Sequence, residues 1–177
     1  MSSAPEERPE RHRVIFALWP DDATRAAISR ATRAVVGASG GRPIAKERLH
    51  VTVAFLGELT PERLAAARAT APVPVGEFEL VLDSVGLWPE SKILWLAPTA
   101  PPDALFELEA RLADALAACG FRAEERVYRP HVTLARRARA VVAEIEPVRF
   151  PVRELALVES FPDARNVHYE VLERWPL

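Results

Sequence analysis

The sequence predicts an α+β fold of two lobes related by approximate twofold symmetry. Each lobe is mostly antiparallel sheet with helices on the outside, and a central cleft lies between them. Three observations carry this. The tripeptide His-Val-Thr occurs twice, at His50-Val51-Thr52 and His131-Val132-Thr133, and takes two of the chain's four histidines. Each copy opens a short alternating run, the pattern of a half-buried strand. Two longer stretches, after Asp21 and after Pro102, carry apolar residues at helical spacing instead.

The elements follow in order. Val14–Trp19 is a strand that Pro20 ends. Asp21 or Asp22 caps a helix to about Val36, with Ile28 and Val35 on its apolar stripe. Gly37–Gly41 follows as a flexible loop, and Leu49–Leu56 as a strand. Thr60-Pro61-Glu62 has the form of an N-cap with proline at the first helical position, and starts a short alanine-rich helix. Phe78–Leu87 and Ile93–Ala97 form a strand pair joined through Trp88-Pro89-Glu90-Ser91. Pro101-Pro102-Asp103 starts a helix of about 103 to 119. Its stripe is Leu105, Leu108, Leu112, Leu116 and Cys119, with Cys119 taken as core packing and Gly120 as the stop. His131–Arg136, Val152–Glu159 and Val167–Arg174 complete the set as strands.

Composition narrows the function classes. At 177 residues and 49% hydrophobic the chain can bury a substantial core, and one two-lobed domain over 13–177 is expected. The polar segment 1–12 is expected to be a disordered arm rather than a signal peptide. No apolar run reaches the roughly 18 residues of a membrane span. A single cysteine fits a reducing compartment, so a cytoplasmic monomer is expected. A net charge of −2 excludes a generally basic nucleic-acid coat. The charge is uneven, however. Six arginines against two glutamates surround the second motif between Arg122 and Arg139, and Arg42, Lys46 and Arg48 precede the first. An anionic ligand, phosphate above all, suits these surroundings. No P-loop, glycine-rich dinucleotide motif or cysteine cluster is present, so no cofactor is expected. No carboxylate or third histidine recurs beside either motif at ligand spacing, so no metal is expected either.

Side chains alternate along a strand with period two. His50 and Thr52 therefore share one face, and Val51 and Val53 the other. His131 with Thr133, and Val132 with Leu134, repeat the arrangement. Two imidazoles that titrate near neutrality can supply a base and an acid without a metal. Thr52 and Thr133 can donate hydroxyl hydrogen bonds to phosphate oxygens. Arg136 can supply positive charge, but it follows Thr133 by three and falls on the opposite side of an ideal strand. A strand end or bulge is needed to turn it inward. Phe55 stands in the same relation to His50, and core packing is its simpler reading. His12 and His168 carry no motif.

The strand-borne His-x-Thr pair, about 80 residues apart, resembles the two-histidine (2H) phosphoesterase superfamily. Its nearest branch is the bacterial RNA 2′,3′-cyclic phosphodiesterases, also called 2′-5′ RNA ligase-like proteins. The resemblance covers nearly all of Arg13–Leu177. It rests on Phe16-Ala17-Leu18-Trp19-Pro20, Leu49–Gly57, Ile93-Leu94-Trp95-Leu96, Arg129–Arg136 and Trp175-Pro176-Leu177. Lys92, where arginine is common, and the Ser160–His168 segment without its usual glycine depart from the pattern. The resemblance implies RNA ends with 2′,3′-cyclic phosphate, or related cyclic nucleotides, as substrates. It makes His50 the proton donor, His131 the acceptor and Phe55 a wall of the nucleobase pocket. A 2′-phosphomonoester is the implied product, with weak reverse 2′-5′ ligation. The residues alone leave two alternatives open: a non-catalytic RNA-end binding module, and a phosphodiesterase for another cyclic or 2′-5′ linked nucleotide.

Overall fold

A computed structural model describes residues 11–70, 74–122, 124, 126–162 and 167–177. Ten strands and three α-helices make an α+β fold in which every strand pairing is antiparallel among the described residues. In chain order they are β1 (His12–Leu18), α1 (Asp22–Ser39), β2 (Arg42–Pro43), β3 (Val51–Leu59), α2 (Pro61–Ala69), β4 (Phe78–Leu82), β5 (Ser84–Trp88), β6 (Ile93–Ala97), α3 (Asp103–Ala118), β7 (Val132–Arg136), β8 (Val148–Val152), β9 (Glu154–Pro162) and β10 (Val167–Pro176).

One sheet runs in the order β10-β9-β1-β3-β7-β6-β5, with β2 added beside β7, and β4 and β8 form a separate pair. The two lobes are thus halves of one continuous sheet. They meet where β3 lies against β7, at the single Cα pair Val51↔Val132. A local twofold axis between these two valines exchanges the motif strands. The helices cross this seam. The first, α1, leaves β1 yet packs against β7, and α3 leaves β6 yet packs against β3.

The helices start and stop for local reasons. Asp21 accepts from Thr24 N at 2.7 Å, and Thr60 caps α2 with Pro61 in the first turn. The first helix continues through Gly37 to Ser39, so the loop expected over Gly37–Gly41 shrinks to a turn. Gly40, at φ 62°, supplies the left-handed cap. Leu105, Leu108, Leu112 and Leu116 are buried on α3. Cys119 is not part of that stripe. The helix ends at Ala118, which leaves Cys119 exposed beside the Thr70 hydroxyl at 3.4 Å.

Several strand boundaries differ from expectation. The stretch Phe78–Leu87 is two strands in two sheets, broken at Asp83, whose carboxylate accepts from Thr99 N and Thr99 Oγ1 at 2.7 Å each. Val148–Val152 is a strand of its own. Val148, Phe150 and Val152 face inward, and Pro151 is tolerated because β8 is an edge. The last pair then begins at Glu154 rather than Val152. Of the arm expected over 1–12, residues 1–10 lie outside the described ones. His12 opens β1, where its Nδ1 lies 2.6 Å from Glu159 Oε1.

The main core lies on the face away from the motif side chains. Val14, Phe16 and Leu18 of β1, Val51 and Val53 of β3, and Val132 and Leu134 of β7 meet the leucines of α3 there. A smaller cluster of Ile15, Ala17, Ala156 and Val158 backs the opposite face. That second face carries the site.

Candidate active site

The Val51↔Val132 pair sets the geometry of the motifs. One step outward in an antiparallel ladder, His50 comes opposite Thr133 and Thr52 opposite His131. The two imidazoles are then diagonal neighbours, a relation that spans about 7–8 Å in a regular ladder. A phosphate group fits between them.

Both histidines are fixed the same way. His50 Nδ1 donates to the Arg48 carbonyl at 2.7 Å, and His131 Nδ1 donates to the Arg129 carbonyl at 2.8 Å. A carbonyl can only accept, so each Nδ1 carries the proton and each Nε2 offers a lone pair. Pro130, ahead of His131, restricts Arg129 to extended backbone and helps aim that carbonyl. Burial is the main force on both rings. It pushes His50 down to about 4, helped by the positive charge of His131 and Arg25 and opposed by the bond to Arg48. It also lowers His131, against the bond to Arg129. With no anion between them, both rings are neutral at pH 7.

Two bulges bring in the residues that strand parity placed on the wrong side. In β3, Ala17 pairs with Thr52 and Phe16 with Ala54, so Val53 is an extra residue. Phe55, opposite Ile15, therefore returns to the face of Thr52, and it is 51% exposed there. In β7, Trp95 pairs with Thr133 and Leu94 with Ala135, so Leu134 is the extra residue. Arg136 then returns to the face of Thr133. Each bulge follows its motif threonine directly and brings the residue three places further on into the cleft.

A cavity of about 280 Å³ gathers all six residues singled out from the sequence: His50, Thr52, Phe55, His131, Thr133 and Arg136. Arg13, Arg48 and Tyr169 join them from distant elements. Arg13 lies over the Phe55 ring, 5.4 Å from its centroid. Arg48 donates to the Val167 carbonyl at 3.3 Å, while its buried Nε has no partner among the described residues. A second, larger arm of about 630 Å³ shares Thr52, Phe55 and His131, and opens between Trp88, α3 and Tyr128.

Aromatic rings hold the imidazoles from behind. Trp19 stacks on His50 at 5.2 Å between centroids, and Tyr169 leans on the same ring at 5.4 Å. Trp88 meets His131 edge-on at 4.5 Å. Trp88 in turn contacts Trp95, which covers Gly86 so closely that a Cβ there would come within 2.1 Å of the indole. The strand turns around Trp19 and Trp88 were visible in the sequence, but their place beside the histidines was not. It depends on which strands become neighbours. Among the described residues, no three His, Cys, Asp or Glu side chains converge as metal ligands do. No helix among them is long and apolar enough to cross a membrane.

Comparison with known proteins adds the family. The 2′-5′ RNA ligase superfamily matches residues 20–162. The RNA 2′,3′-cyclic phosphodiesterase of Escherichia coli is 36% identical over 146 residues, 77% of this chain and 80% of that protein. The protein of the same name from Thermus thermophilus is 30% identical over 93% of this chain and 90% of its own length. The solved structure of Escherichia coli LigT complexed with 3′-AMP superposes with a TM-score of 0.83 at 32% identity, covering 95% of this chain and 99% of that one. The paired motif, the fold and these matches agree, and the chain belongs to the 2′-5′ RNA ligase superfamily of 2H phosphoesterases.

Proposed function

We propose that the protein hydrolyses RNA ends bearing a 2′,3′-cyclic phosphate to 2′-phosphomonoesters, using two histidines and no metal. The observation that carries this reading is the pair of imidazoles, each tied at Nδ1 and each with Nε2 unbonded among the described residues, flanking one small cavity lined with threonine and arginine. The relatives named RNA 2′,3′-cyclic phosphodiesterase support the substrate, and the 3′-AMP bound by LigT supports a nucleotide with phosphate on the ribose.

The cyclic phosphate anion sits between the rings. Its charge favours the imidazolium form that burial otherwise suppresses, so the substrate brings the acid into its working state. His131 Nε2 takes a proton from water as the water oxygen attacks phosphorus. The P–O3′ bond breaks in line, and His50 Nε2–H gives its proton to the departing O3′. A free 3′ hydroxyl and a 2′-phosphate result. Thr52 and Thr133 donate to the non-bridging oxygens, and Arg136 offsets the charge that builds on them. With the 5′ hydroxyl of a second RNA in place of water, the same attack on the cyclic phosphate and departure of O3′ would join the two ends through a 2′-5′ bond. It is weak because water competes for the same position.

The test is a short RNA ending in 2′,3′-cyclic phosphate, incubated with the protein in excess EDTA. Turnover should continue, and the product should resist an enzyme that removes only 3′-phosphates. Loss of turnover on chelation, restored by a divalent ion, would move the chemistry to a metal. A 3′-phosphate product would reverse the ribose and exchange the roles of the two histidines.

A further inference from the structure

The larger arm of the cleft plays no part in moving protons, yet it opens directly off the phosphate site. His131, Thr52 and Phe55 line both arms. A base attached to a ribose whose phosphate lies between the histidines has this arm within reach. Its walls are mostly apolar: Trp88 and Phe55 near the mouth, and Ala113 and Leu116 from α3. Polar side chains line it as well: Glu109, Arg122, Glu124, Arg126, Tyr128 and Arg129. Glu109 stands one turn before Ala113, on the same stripe of α3. The Tyr128 hydroxyl is buried with no hydrogen-bond partner among the described residues, and its ring meets Phe106 edge-on at 6.4 Å. A buried hydroxyl without a partner costs free energy that a ligand can return.

We propose that Glu109 and Tyr128 make this arm a guanine-selective base site for the RNA end. The inference rests on the phosphodiesterase reading above. A carboxylate only accepts hydrogen bonds, whereas a tyrosine hydroxyl can donate. Guanine alone among the four bases presents two adjacent donors, N1–H and N2–H, beside an acceptor, O6. The carboxylate takes the first two and the hydroxyl gives to the third. Adenine and cytosine would set a ring nitrogen lone pair against the carboxylate. Uracil offers one N–H between two acceptors. Arg122 and Arg129 also line the arm. Arginine donates to O6 and N7 of guanine, so either one would add to the same preference. Burial raises the Glu109 carboxyl above its ordinary range, and two N–H donors would draw it back toward the ionised form.

The experiment compares kcat/KM on four short RNAs that differ only in the nucleotide carrying the cyclic phosphate. The native protein should prefer the guanosine end by roughly tenfold or more over each of the others, the scale of one well-made bidentate contact. Glu109→Gln is isosteric but sets an amide donor against N2–H, so the guanosine-to-adenosine ratio should collapse toward one. Tyr128→Phe should lower the ratio by a smaller factor. Equal rates on all four ends, preference for another base, or an unchanged ratio in Glu109→Gln would each overturn the proposal. Absence of turnover on every end would instead remove the phosphodiesterase reading. Calorimetric binding of guanosine 3′-monophosphate against adenosine 3′-monophosphate would then decide the base site on its own: tighter guanosine binding upholds it, and equal binding ends it.

Discussion

His50 and His131 stand one step before Val51 and Val132, so the backbone treats them alike. Each is anchored through Nδ1 to the carbonyl two residues back. Their surroundings are not alike. His50 packs in a cluster with Trp19 and Tyr169, which also meet each other at 5.8 Å, and Arg25 lies over the Trp19 ring at 5.3 Å. Among the described residues His131 has one aromatic neighbour, Trp88, and it stands where the two arms of the cleft join. The repeat thus duplicates the tautomer, and the flanking elements make the two imidazoles unequal. A symmetric motif prepares two equivalent bases. In the proposed mechanism, an asymmetric setting is what would let one of them serve as the acid.

The strongest way to break this comparison is to remove either ring. His50→Ala and His131→Ala should each lose about 10²–10⁴ in turnover of a cyclic-phosphate RNA, the usual worth of a general acid or base. The double variant should be little worse than either single one, because the two act as a unit. Near-native turnover in one single variant would assign catalysis to the other half alone.

The second test reads the inequality through pH. The His50 ring has a folded-state pKa near 4 against 6.5 in the unfolded chain, so below 6.5 the unfolded state binds the proton more readily. Folding stability from this residue is intact above pH 6.5 and falls as the pH drops from 6.5 to 4, by up to about 3 kcal/mol. Denaturant titrations should show the loss in the native protein and a flatter profile in His50→Gln. An equally flat profile in the native protein would mean that the ring is far more solvated than its neighbours imply. In kinetics, the kcat optimum should lie at higher pH than that of kcat/KM, because the bound anion raises the imidazole values.

A smaller effect separates the threonines. Thr52→Ala and Thr133→Ala should each weaken transition-state binding by about 1–3 kcal/mol, a lost charge-assisted hydrogen bond, without changing which phosphomonoester forms. A changed end group would show that the hydroxyls orient the ribose as well as holding phosphate.

The smallest expected change is at Trp88. Trp88→Leu removes the edge contact and should cost about 0.5–1.5 kcal/mol. It should move the pH dependence assigned to His131 and leave that of His50 in place. A shift of both would show that the aromatic groups are coupled across the seam.

What could be seen in the sequence follows from what period two encodes. The His-x-Thr pairs were legible because both residues of each pair lie on one face before any irregularity. Phe55 and Arg136 were legible as candidates, but the face on which they stand was not, because Val53 and Leu134 each add a residue to the strand. Both are apolar and buried, as a regular strand's core residues would be, so nothing in their chemistry announces a bulge. Helix starts were legible at Asp21 and Thr60, where capping is a local matter. Arg13, Arg48 and Tyr169 joined the site only through the order β10-β9-β1-β3-β7, which is decided by pairing between distant segments. The strand Val148–Val152 was masked by Pro151, a residue that argues against a central strand and only tolerates an edge.

The seam between β3 and β7 holds one residue pair, and main-chain bonding there is too sparse to set the gap between the imidazoles. The crossed helices help to set it. With α1 gripping β7 and α3 gripping β3, each half of the sheet is clasped by a helix that the other half sent out. Neither half can be cut away with its own helix and keep its core. The spacing of the two imidazoles therefore rests in part on leucine packing on the far side of the sheet. A cavity cut at Leu112, in the core on the far side of the sheet from both imidazoles, is a change in the width of the jaw.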